Sequence, residues 1–277
     1  MSIKLVNNSI PLSDDIEKYI IKLINKKPYY CYSKINNDEL ENIYNDILQK
    51  YNIDNINKNI ILSIRASYVK NHMINNHKNI NYNKKKIIMD YNNNINILEI
   101  STRYDISPLN LLRFIFTNKY SKKLTYLIKH KNILNKYDLI QLDLAIENDI
   151  YALIDNSIVL KESINYELDI QKFLDKHNIK YKTQDQLVEE QTKLYGCPIS
   201  TPDFLIKSNL YIDNHKINWI DAKNYYGANI SFIKKSINKQ ILKYNKNYGN
   251  GCIIFKLGFN DSLNFNNTLL LDNSIIL

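Results

Sequence analysis

The stretch that decides the fold is STPDFLIKSNLYIDNHKINWIDAKNYYG, residues 200–227. We predict two short strands in it, at residues 203–206 and 216–222, with a turn at residues 212–215. Apolar runs that are bounded by Pro and by an Asp-Asn pair favour a β-hairpin. The stretch therefore predicts a hairpin, and the flanking segments are interpreted around it.

Charged side chains gather at one end of this hairpin. Asp203 begins the first strand, and Asp221 and Lys223 end the second, where they share one face because strand side chains alternate. Two carboxylates are what Mg²⁺ usually takes from a protein, together with water and phosphate oxygens. Such an ion polarises a phosphodiester and activates water, and a lysine orients that water or offsets charge on the phosphate. The stretch therefore predicts metal-dependent phosphodiester hydrolysis.

The spacing of these charges resembles the PD-(D/E)XK nuclease signature, here Pro202-Asp203 followed by Asp221-Ala222-Lys223. The second motif is the only acid-x-Lys triplet in the chain, and the first is the only Pro-Asp pair. The two aspartates stand 18 positions apart, which suits one hairpin. An ordinary hairpin with a solvated Asp and Lys is the alternative interpretation that the pattern alone leaves open.

Upstream of the hairpin the sequence predicts a helix and a strand. The helix is expected at residues 163–177, with Glu167 beside its apolar stripe, and the strand at residues 179–182. The predicted stripe consists of Ile164, Leu168, Ile170, Phe173 and Leu174.

Downstream of the hairpin the sequence predicts a Lys-rich helix at residues 230–248 that carries Gln240, then a buried strand at residues 252–257. The order is therefore helix, strand, hairpin, helix, strand. This is the core order of the restriction-endonuclease-like fold. We therefore expect a domain of that type at the C-terminus.

A closer resemblance covers roughly the second half of the chain. Several runs there are similar to the codanin-interacting nuclease family, namely residues 167–187, 201–204 and 219–223 and Gly227. The resemblance implies the catalytic residues Asp203, Asp221 and Lys223, a metal-assisting carboxylate at Glu167 and a polar helix residue at Gln240. Residues 185–187 match a further family motif. The chain departs from the family at Asp221, where the family carries Glu. The broader signature accepts either acid, so the departure does not argue against activity, although the shorter side chain can alter the metal geometry.

This resemblance implies hydrolysis of DNA and a set of metal ligands. The ligands implied for one or two Mg²⁺ ions, with Mn²⁺ as a possible substitute, are the side chains of Glu167, Asp203 and Asp221 and the Ala222 carbonyl. A codanin-like protein is implied as a possible partner. A different class stays open, a catalytically silent DNA-binding or adaptor module that kept the nuclease fold.

The two halves of the chain predict an α+β protein. Residues 1–150 are expected to form a helical, helix-turn-helix-like nucleic-acid-binding domain, and residues 151–277 the nuclease domain. N-caps are expected at Ser13, Asn37 and Ser107. The helices expected in the first half span residues 13–25, 38–51, 57–73, 84–91, 95–104, 108–118, 121–131 and 138–146.

The segment ILEISTRYDISPLNLLRFIF, residues 97–116, predicts two helices about a short turn. Ser107 is expected to cap the second helix, with Pro108 at its favoured first position. The pair resembles a helix-turn-helix unit of homeodomain type. Contacts to nucleic acid are expected from Arg103, Asn110 and Arg113. A helical hairpin with only a structural role is the alternative interpretation.

The charge distribution favours a nucleic-acid partner. The net charge is +9, and residues 50–136 hold 16 Lys or Arg against four acids, whereas residues 151–277 hold 15 Lys against 13 acids. A basic face on a helical module is an electrostatic footprint for a phosphate backbone. An AT-rich genome that favours Lys at solvated positions explains the lysines but not the scarcity of acids.

Several other classes are disfavoured by what the sequence lacks. No apolar run approaches the length of a membrane span, and the N-terminal residues lack the apolar core of a signal peptide. Cys31, Cys197 and Cys252 are odd in number and far apart, which predicts reduced thiols and no zinc site. No Gly-rich phosphate loop occurs. We therefore expect an intracellular protein, in the nucleus or cytoplasm or in a viral equivalent of them.

Overall fold

The computed structural model describes residues 2–25, 32–53, 56–151 and 156–276. The chain divides into two compact units. The first, called the sheet unit, consists of Met1–Tyr19, Ile47–Ile64 and Asn156–Leu277, and the second, called the helical unit, of Ile20–Asp46 and Arg65–Asp155. This grouping differs from the predicted division after residue 150, because residues 1–19 and 47–64 belong with the sheet.

The described helices are numbered in chain order. Those of the first half are α1 (Asp14–Ile24), α2 (Asn37–Tyr51), α3 (Lys58–Asn92), α4 (Ile97–Tyr104), α5 (Pro108–Tyr120), α6 (Leu124–Lys129) and α7 (Lys136–Asn148). Those of the second half are α8 (Asn156–Lys176), α9 (Gln184–Tyr195) and α10 (Ser231–Tyr248). Short 3₁₀ turns lie at Lys131–Ile133 and Asn273–Ile275.

Six strands form one mixed sheet in the sheet unit. They are β1 (Ser2–Leu5), β2 (Tyr181–Thr183), β3 (Phe204–Ile212), β4 (His215–Lys223), β5 (Gly251–Phe255) and β6 (Thr268–Asp272). The order is β1-β3-β4-β5-β6, and β2 also pairs with β3. The pairs β2–β3 and β3–β4 are antiparallel, and the pairs β1–β3, β4–β5 and β5–β6 are parallel. The predicted α+β class is confirmed.

The predicted hairpin is present as β3 and β4, and both strands are longer than expected. Asp213 and Asn214 make its two-residue turn with φ of 46° and 64°. Two positive φ values match the type I′ turn, which Asn and Asp tolerate better than other non-glycine residues. Phe204 pairs with Ile220, so Asp203, one residue before β3, lies beside the end of β4.

The connection from β4 through α10 to β5 forms a β-α-β unit, since β4 and β5 are parallel. The apolar face of α10 is buried along its length through Ile233, Ile237, Ile241 and Tyr244. Their spacing keeps one face of the helix inward. Gln240 is adjacent to this face, which directs its side chain to the end of β4.

The apolar stripe predicted for α8 is wrong in part. Ile164 is 47% and Leu168 46% exposed, whereas the buried residues are Tyr166, Ile170 and Leu174. These three follow each other at intervals of four, which is the helical period. The sheet therefore packs against a face that is rotated from the predicted stripe.

In the first half, α3 replaces two predicted helices. Residues 74–83 between them contain no Gly or Pro, so nothing in the sequence ends the helix. The N-cap expected at Asn37 is also wrong, because Asn36 Oδ1 accepts a hydrogen bond from Glu39 N at 2.7 Å and Asn37 is already helical. The cap at Ser13 is present as a weak contact from Ile16 N at 3.4 Å.

Within the helical unit, α4 and α5 meet at a tight turn, as predicted. Ser107 caps α5 by accepting from Asn110 N at 3.2 Å, and Pro108 takes the first helical position. Two buried polar side chains, one on α7 and one just after it, bind the first backbone amides of α4 and α5. Gln141 Oε1 accepts from Ile97 N at 2.8 Å, and Asp149 Oδ2 accepts from Leu109 N at 3.1 Å. Such bonds satisfy amides that the helices leave unpaired.

Two predictions concern what the chain lacks. None of the helices within the described ranges is long and apolar enough to cross a membrane. Cys197 is exposed and Cys252 is buried, and both are free thiols, as expected. Cys31 lies outside the described residues.

Candidate active site

Asp221 is the most buried carboxylate at the end of β4, with 2% of its surface exposed. Its Oδ1 accepts a hydrogen bond from Gln240 Nε2 at 3.1 Å and lies 3.5 Å from the Tyr244 hydroxyl. Its Oδ2 forms an ion pair with Lys223 Nζ but accepts no hydrogen bond from the residues that the structure describes. This buried oxygen is therefore balanced by charge alone.

Gln240 links the two charges of this pair. Lys223 Nζ donates to Gln240 Oε1 at 3.0 Å, while the amide nitrogen of the same side chain donates to Asp221. Burial is the largest single influence and lowers the pKa of Lys223, but the charges of Asp221, Tyr225 and Asp203 and the direct contact with Asp221 together outweigh it, so the pKa lies above its usual range. The ammonium therefore stays charged, and one amide holds both partners of the ion pair in place.

Asp203 faces the same place from the start of β3. Its Oδ2 accepts a hydrogen bond from Ala222 N at 2.7 Å, and its carbonyl accepts from Gln184 N at 3.0 Å. Burial first, and then the charge of Asp221, raise the pKa of Asp203 to about 8. Two carboxylates that share a site cannot easily both ionise without a cation.

Glu167 approaches from α8. Burial, then the charges of Asp221 and Asp185, raise the pKa of the Glu167 carboxyl, so all three predicted carboxylates influence one another. They do not form a compact cluster, because no group of three or more His, Cys, Asp or Glu side chains in the described ranges is placed to hold a metal ion. Ala222, the fourth predicted ligand, contributes its N–H to Asp203.

Tyr244 is a site residue that the sequence analysis missed. Its hydroxyl accepts from Gln240 Nε2 at 2.8 Å and donates to the Thr201 carbonyl at 3.3 Å. Its ring packs against Trp219, with centroids 5.2 Å apart. The signal that would have found it is the interval of four residues from Gln240, which places both on one helix face.

Gln191 on α9 was also missed, and it holds the loop that precedes Asp203. Its Nε2 donates to the Ser200 carbonyl at 2.7 Å and to the Tyr248 hydroxyl at 3.0 Å. Its Oε1 accepts from Ile199 N at 2.6 Å and from Ser200 N at 2.9 Å. All hydrogen-bonding positions of this amide are therefore used. Gln191 was missed because helix α9, which carries it, was not predicted from the sequence.

Trp219 lies in the core beneath the site and is fully buried. Its Nε1 donates to the Gly249 carbonyl at 2.7 Å. A Cβ on Gly251 would come within 2.2 Å of the indole, so only glycine fits at the start of β5. The indole therefore lies directly on the backbone of the neighbouring strand.

The three residues expected to contact nucleic acid lie in the helical unit, and their surroundings differ. Arg103 makes ion pairs with Asp90 at 2.8 Å and Glu99 at 2.9 Å. Arg113 is exposed on α5, and its Nη1 donates to Asn110 Oδ1 at 2.5 Å. The structure thus brings Asn110 and Arg113 together on an open helix face, whereas Arg103 is engaged by acids of its own unit.

Comparison with known proteins places this site in a family. Residues 136–275, about half of the chain, match the family described as "Protein of unknown function TPD sequence-motif". The chain belongs to this family. Its only Thr-Pro-Asp run is Thr201-Pro202-Asp203, the segment that carries the first carboxylate of the site.

Individual relatives extend the comparison. "Uncharacterized protein L539" of Acanthamoeba polyphaga mimivirus is 30% identical over 82% of this chain and 83% of its own. "CDAN1-interacting nuclease 1" of Xenopus laevis is 30% identical over 46% of this chain and 40% of its own, and that of Mus musculus 26% identical over 61% and 62%. The chain thus spans less than two thirds of the length of either nuclease. No solved structure matches.

Proposed function

We propose that this protein is a metal-dependent nuclease that hydrolyses phosphodiester bonds of DNA. The observation that carries the proposal is the network in which Gln240 holds Asp221 and Lys223 while Asp203 faces them from the next strand. The similarity to proteins named as nucleases supports the same class. The restriction-endonuclease-like arrangement and the PD-(D/E)XK assignment belong to this proposal.

The donor set fits a hard divalent cation. Asp203 and Asp221 offer oxygen ligands, and Mg²⁺ needs only one or two carboxylates besides water and phosphate oxygens. The pKa of Asp203, raised by burial and by the charge of Asp221, is typical of two carboxylates that share one site. Bound there, Mg²⁺ or Mn²⁺ would supply Lewis acidity to the phosphodiester and favour ionisation of the attacking water. Glu167 and the Ala222 carbonyl are the further ligands of this proposal, and Glu167 would have to approach the two aspartates to bind the same ion.

The remaining roles belong to residues of the chain. Lys223 stays protonated beside Asp221, so its ammonium offsets the charge that develops on the phosphate oxygens. Gln240 keeps that ammonium and the carboxylate oriented towards each other. Gln191 fixes the loop that delivers Asp203.

We propose the helical unit as the part that captures DNA, through a helix-turn-helix-like pair formed by α4 and α5. Asn110 and Arg113 are the proposed groove contacts, since their face of α5 is open. Arg103 is proposed to stabilise the helix pair through its ion pairs with Asp90 and Glu99 rather than to contact DNA.

A codanin-like partner is proposed from the names of the nuclease relatives. An intracellular location is proposed from the free thiols of Cys197 and Cys252.

A cleavage assay with Mg²⁺ on labelled single-stranded, duplex, flapped and four-way DNA tests the proposal. Lys223→Ala should lower the cleavage rate by about 10²-fold or more, the usual effect of losing one transition-state contact. Lys216→Ala, an exposed lysine on the same strand, should leave the rate unchanged and is the matched control. Equal rates for Lys223→Ala and Lys216→Ala would overturn the assignment of the site.

A second candidate is a catalytically silent DNA-binding or adaptor module. The observation that favours it is the absence, in the described ranges, of a three-residue metal group. The same assay separates the two. DNA binding by the native protein without cleavage of any substrate, together with thermal stabilisation by Mg²⁺, would support the silent module.

A further inference from the structure

A row of rings and cations runs along α6 in the helical unit. The rings of Tyr126 and His130 stack with centroids 4.1 Å apart and planes 17° apart. His130 Nδ1 donates a hydrogen bond to the Tyr126 carbonyl at 2.9 Å, which holds the imidazole over the phenol ring. Lys122 Nζ lies 5.7 Å from the Tyr126 ring centroid. The stack and the hydrogen bond hold the two rings together in this row.

This row faces solvent. Tyr126 is 42% exposed, and Lys122 and His130 are exposed as well. The opposite face of α6 buries Leu124 and Leu127, which suffice to attach the helix to its core. The stacked rings are therefore not used by the core, and their outer surfaces are open to a ligand.

The chain segment that contains the row carries charges of only one sign. Residues 106–137 contain seven Lys or Arg and no Asp or Glu. Lys119 and Lys131 pair with carboxylates. The cations that have no carboxylate of the described residues within ion-pair distance include Lys122, Lys123 and Lys129. Unpaired cations beside open rings suit a ligand that is anionic and carries flat apolar groups.

We propose that this surface, formed by Lys122, Lys123, Tyr126, Lys129 and His130, binds single-stranded nucleic acid. The lysines contact the phosphates, and an unpaired base stacks on the open face of His130 or takes the place of the loosely held Lys122 over Tyr126. A duplex stacks its bases on one another, so it uses the lysines but not the rings. The inference rests on the proposed function and names its substrate class as nucleic acid with unpaired bases.

Fluorescence anisotropy in the Lys223→Ala protein measures the binding without cleavage. The probes are labelled DNA and RNA single strands of about 20 nucleotides, longer than one stacking site, and the matching DNA duplex. Tyr126→Ala should weaken binding of a single strand by about 5- to 150-fold, the effect of one lost base–aromatic stack. Tyr126→Phe keeps the ring and should bind like the parent. The tighter of the two single strands identifies the sugar that the surface prefers.

Duplex binding supplies the internal comparison. It should change little in Tyr126→Ala, because the lysines remain. Equal losses for single strand and duplex, or an unchanged single-strand affinity, would overturn the inference. Competition by polyglutamate as strong as that by a single strand would overturn it as well, in favour of an acidic protein partner. His130→Ala, which removes the second ring, repeats the test if Tyr126→Ala fails to fold.

The outcomes also separate this inference from the proposed function. Cleavage by the native protein together with Tyr126-independent binding would leave the nuclease standing and remove the stacking surface. Single-strand binding that depends on Tyr126, with no cleavage of any substrate, would leave the surface standing and remove the catalytic proposal.

Discussion

The orientation of the Gln240 amide is a consequence of Tyr244. An amide can present either end to Lys223 and Asp221, and the two ends have opposite hydrogen-bonding character. The Tyr244 hydroxyl donates to the Thr201 carbonyl and therefore accepts from Gln240 Nε2. This fixes the nitrogen on the carboxylate side and leaves the oxygen for the ammonium.

Tyr244→Phe should therefore lower kcat while KM stays nearly constant. The lost hydrogen bond corresponds to about 0.5–1.5 kcal/mol, or about 2- to 10-fold in rate. Steady-state kinetics on the preferred DNA substrate measures it. Tyr195→Phe, which changes an exposed tyrosine, serves as the control. A rise in KM with unchanged kcat would show that Tyr244 contributes to binding rather than to the orientation of Gln240.

Glu17 is a second buried carboxylate of the sheet unit, bonded to the loops that follow β4 and β5. It is 2% exposed, accepts hydrogen bonds from Asn229 N at 2.9 Å and from Asn260 Nδ2 at 2.7 Å, and has no ion-pair partner among the described residues. Burial raises the pKa of the Glu17 carboxyl, although these hydrogen bonds act in the opposite direction. Its side chain thereby joins α1 to the loop before α10.

The pH dependence of stability follows from this shift. A carboxyl whose pKa is raised in the fold holds its proton in the native state where the unfolded chain has lost it. Its contribution to the free energy of unfolding therefore falls as pH rises from about 4.3 through the raised pKa. Urea denaturation across this range should show the native protein losing stability relative to Glu17→Gln as pH rises, because Gln has no proton to lose. A constant difference would contradict the assignment.

At the scale of elements, the sequence was informative wherever local chemistry determined the outcome. The hairpin follows from Pro202 and the Asp213-Asn214 turn, and α5 follows from Ser107 and Pro108. The face of α10 that carries Gln240 follows from its apolar spacing. These signals lie within a few residues of the structure they determine.

The elements that were missed depend on distant partners or on undetected caps. The missed strands are β1 and β6, which pair in parallel with β3 and β5. β1 alternates polar and apolar residues over only four positions, and β6 is a short apolar run, so neither is long enough to be separated from a loop. The capping box of Thr183 and Gln186 marks the start of α9 and was overlooked. The missing α9 also concealed Gln191, so the support of Asp203 was not predictable from the hairpin alone.

Helix α5 allows a prediction about the proposed contact with DNA. Arg113→Ala should weaken DNA binding and reduce the salt dependence of the binding constant by about one ion, since an exposed guanidinium is removed without loss of an ion pair. Arg103→Ala should instead destabilise the protein, because Asp90, only 6% exposed, loses its ion-pair partner. Anisotropy titrations at several salt concentrations and thermal unfolding measure both.

Each arginine variant is the control for the other, since one is expected to change DNA affinity and the other protein stability. Reduced affinity with unchanged stability in Arg103→Ala would reverse their roles. Unchanged affinity in Arg113→Ala would remove α5 from the DNA contact and leave the α6 surface as the remaining candidate.

At the scale of the whole molecule, the sheet unit is assembled from three separated parts of the chain. β1 pairs with the edge of β3, and Leu12 N donates to the Phe259 carbonyl at 2.9 Å. Ser63 Oγ accepts from Tyr226 N at 2.9 Å. The N-terminal residues are therefore structural parts of the unit that carries the candidate active site.

A fragment of residues 151–277, which follows the boundary predicted from the sequence, should therefore be much less stable than the full chain. It exposes the edge of β3 and leaves the amides of Asn229 and Asn260 without their carboxylate, and unpaired buried polar groups cost about 1–3 kcal/mol each. Circular dichroism on heating should show a broad transition at low temperature for the fragment and a sharp one for the full chain. The same fragment should gain cooperativity when a peptide of residues 1–25 is added in excess, because β1 and Glu17 return together. A sharp transition of the fragment alone, within a few degrees of that of the full chain, would contradict this prediction. It would show that residues 151–277 fold independently and that the boundary predicted after residue 150 was adequate.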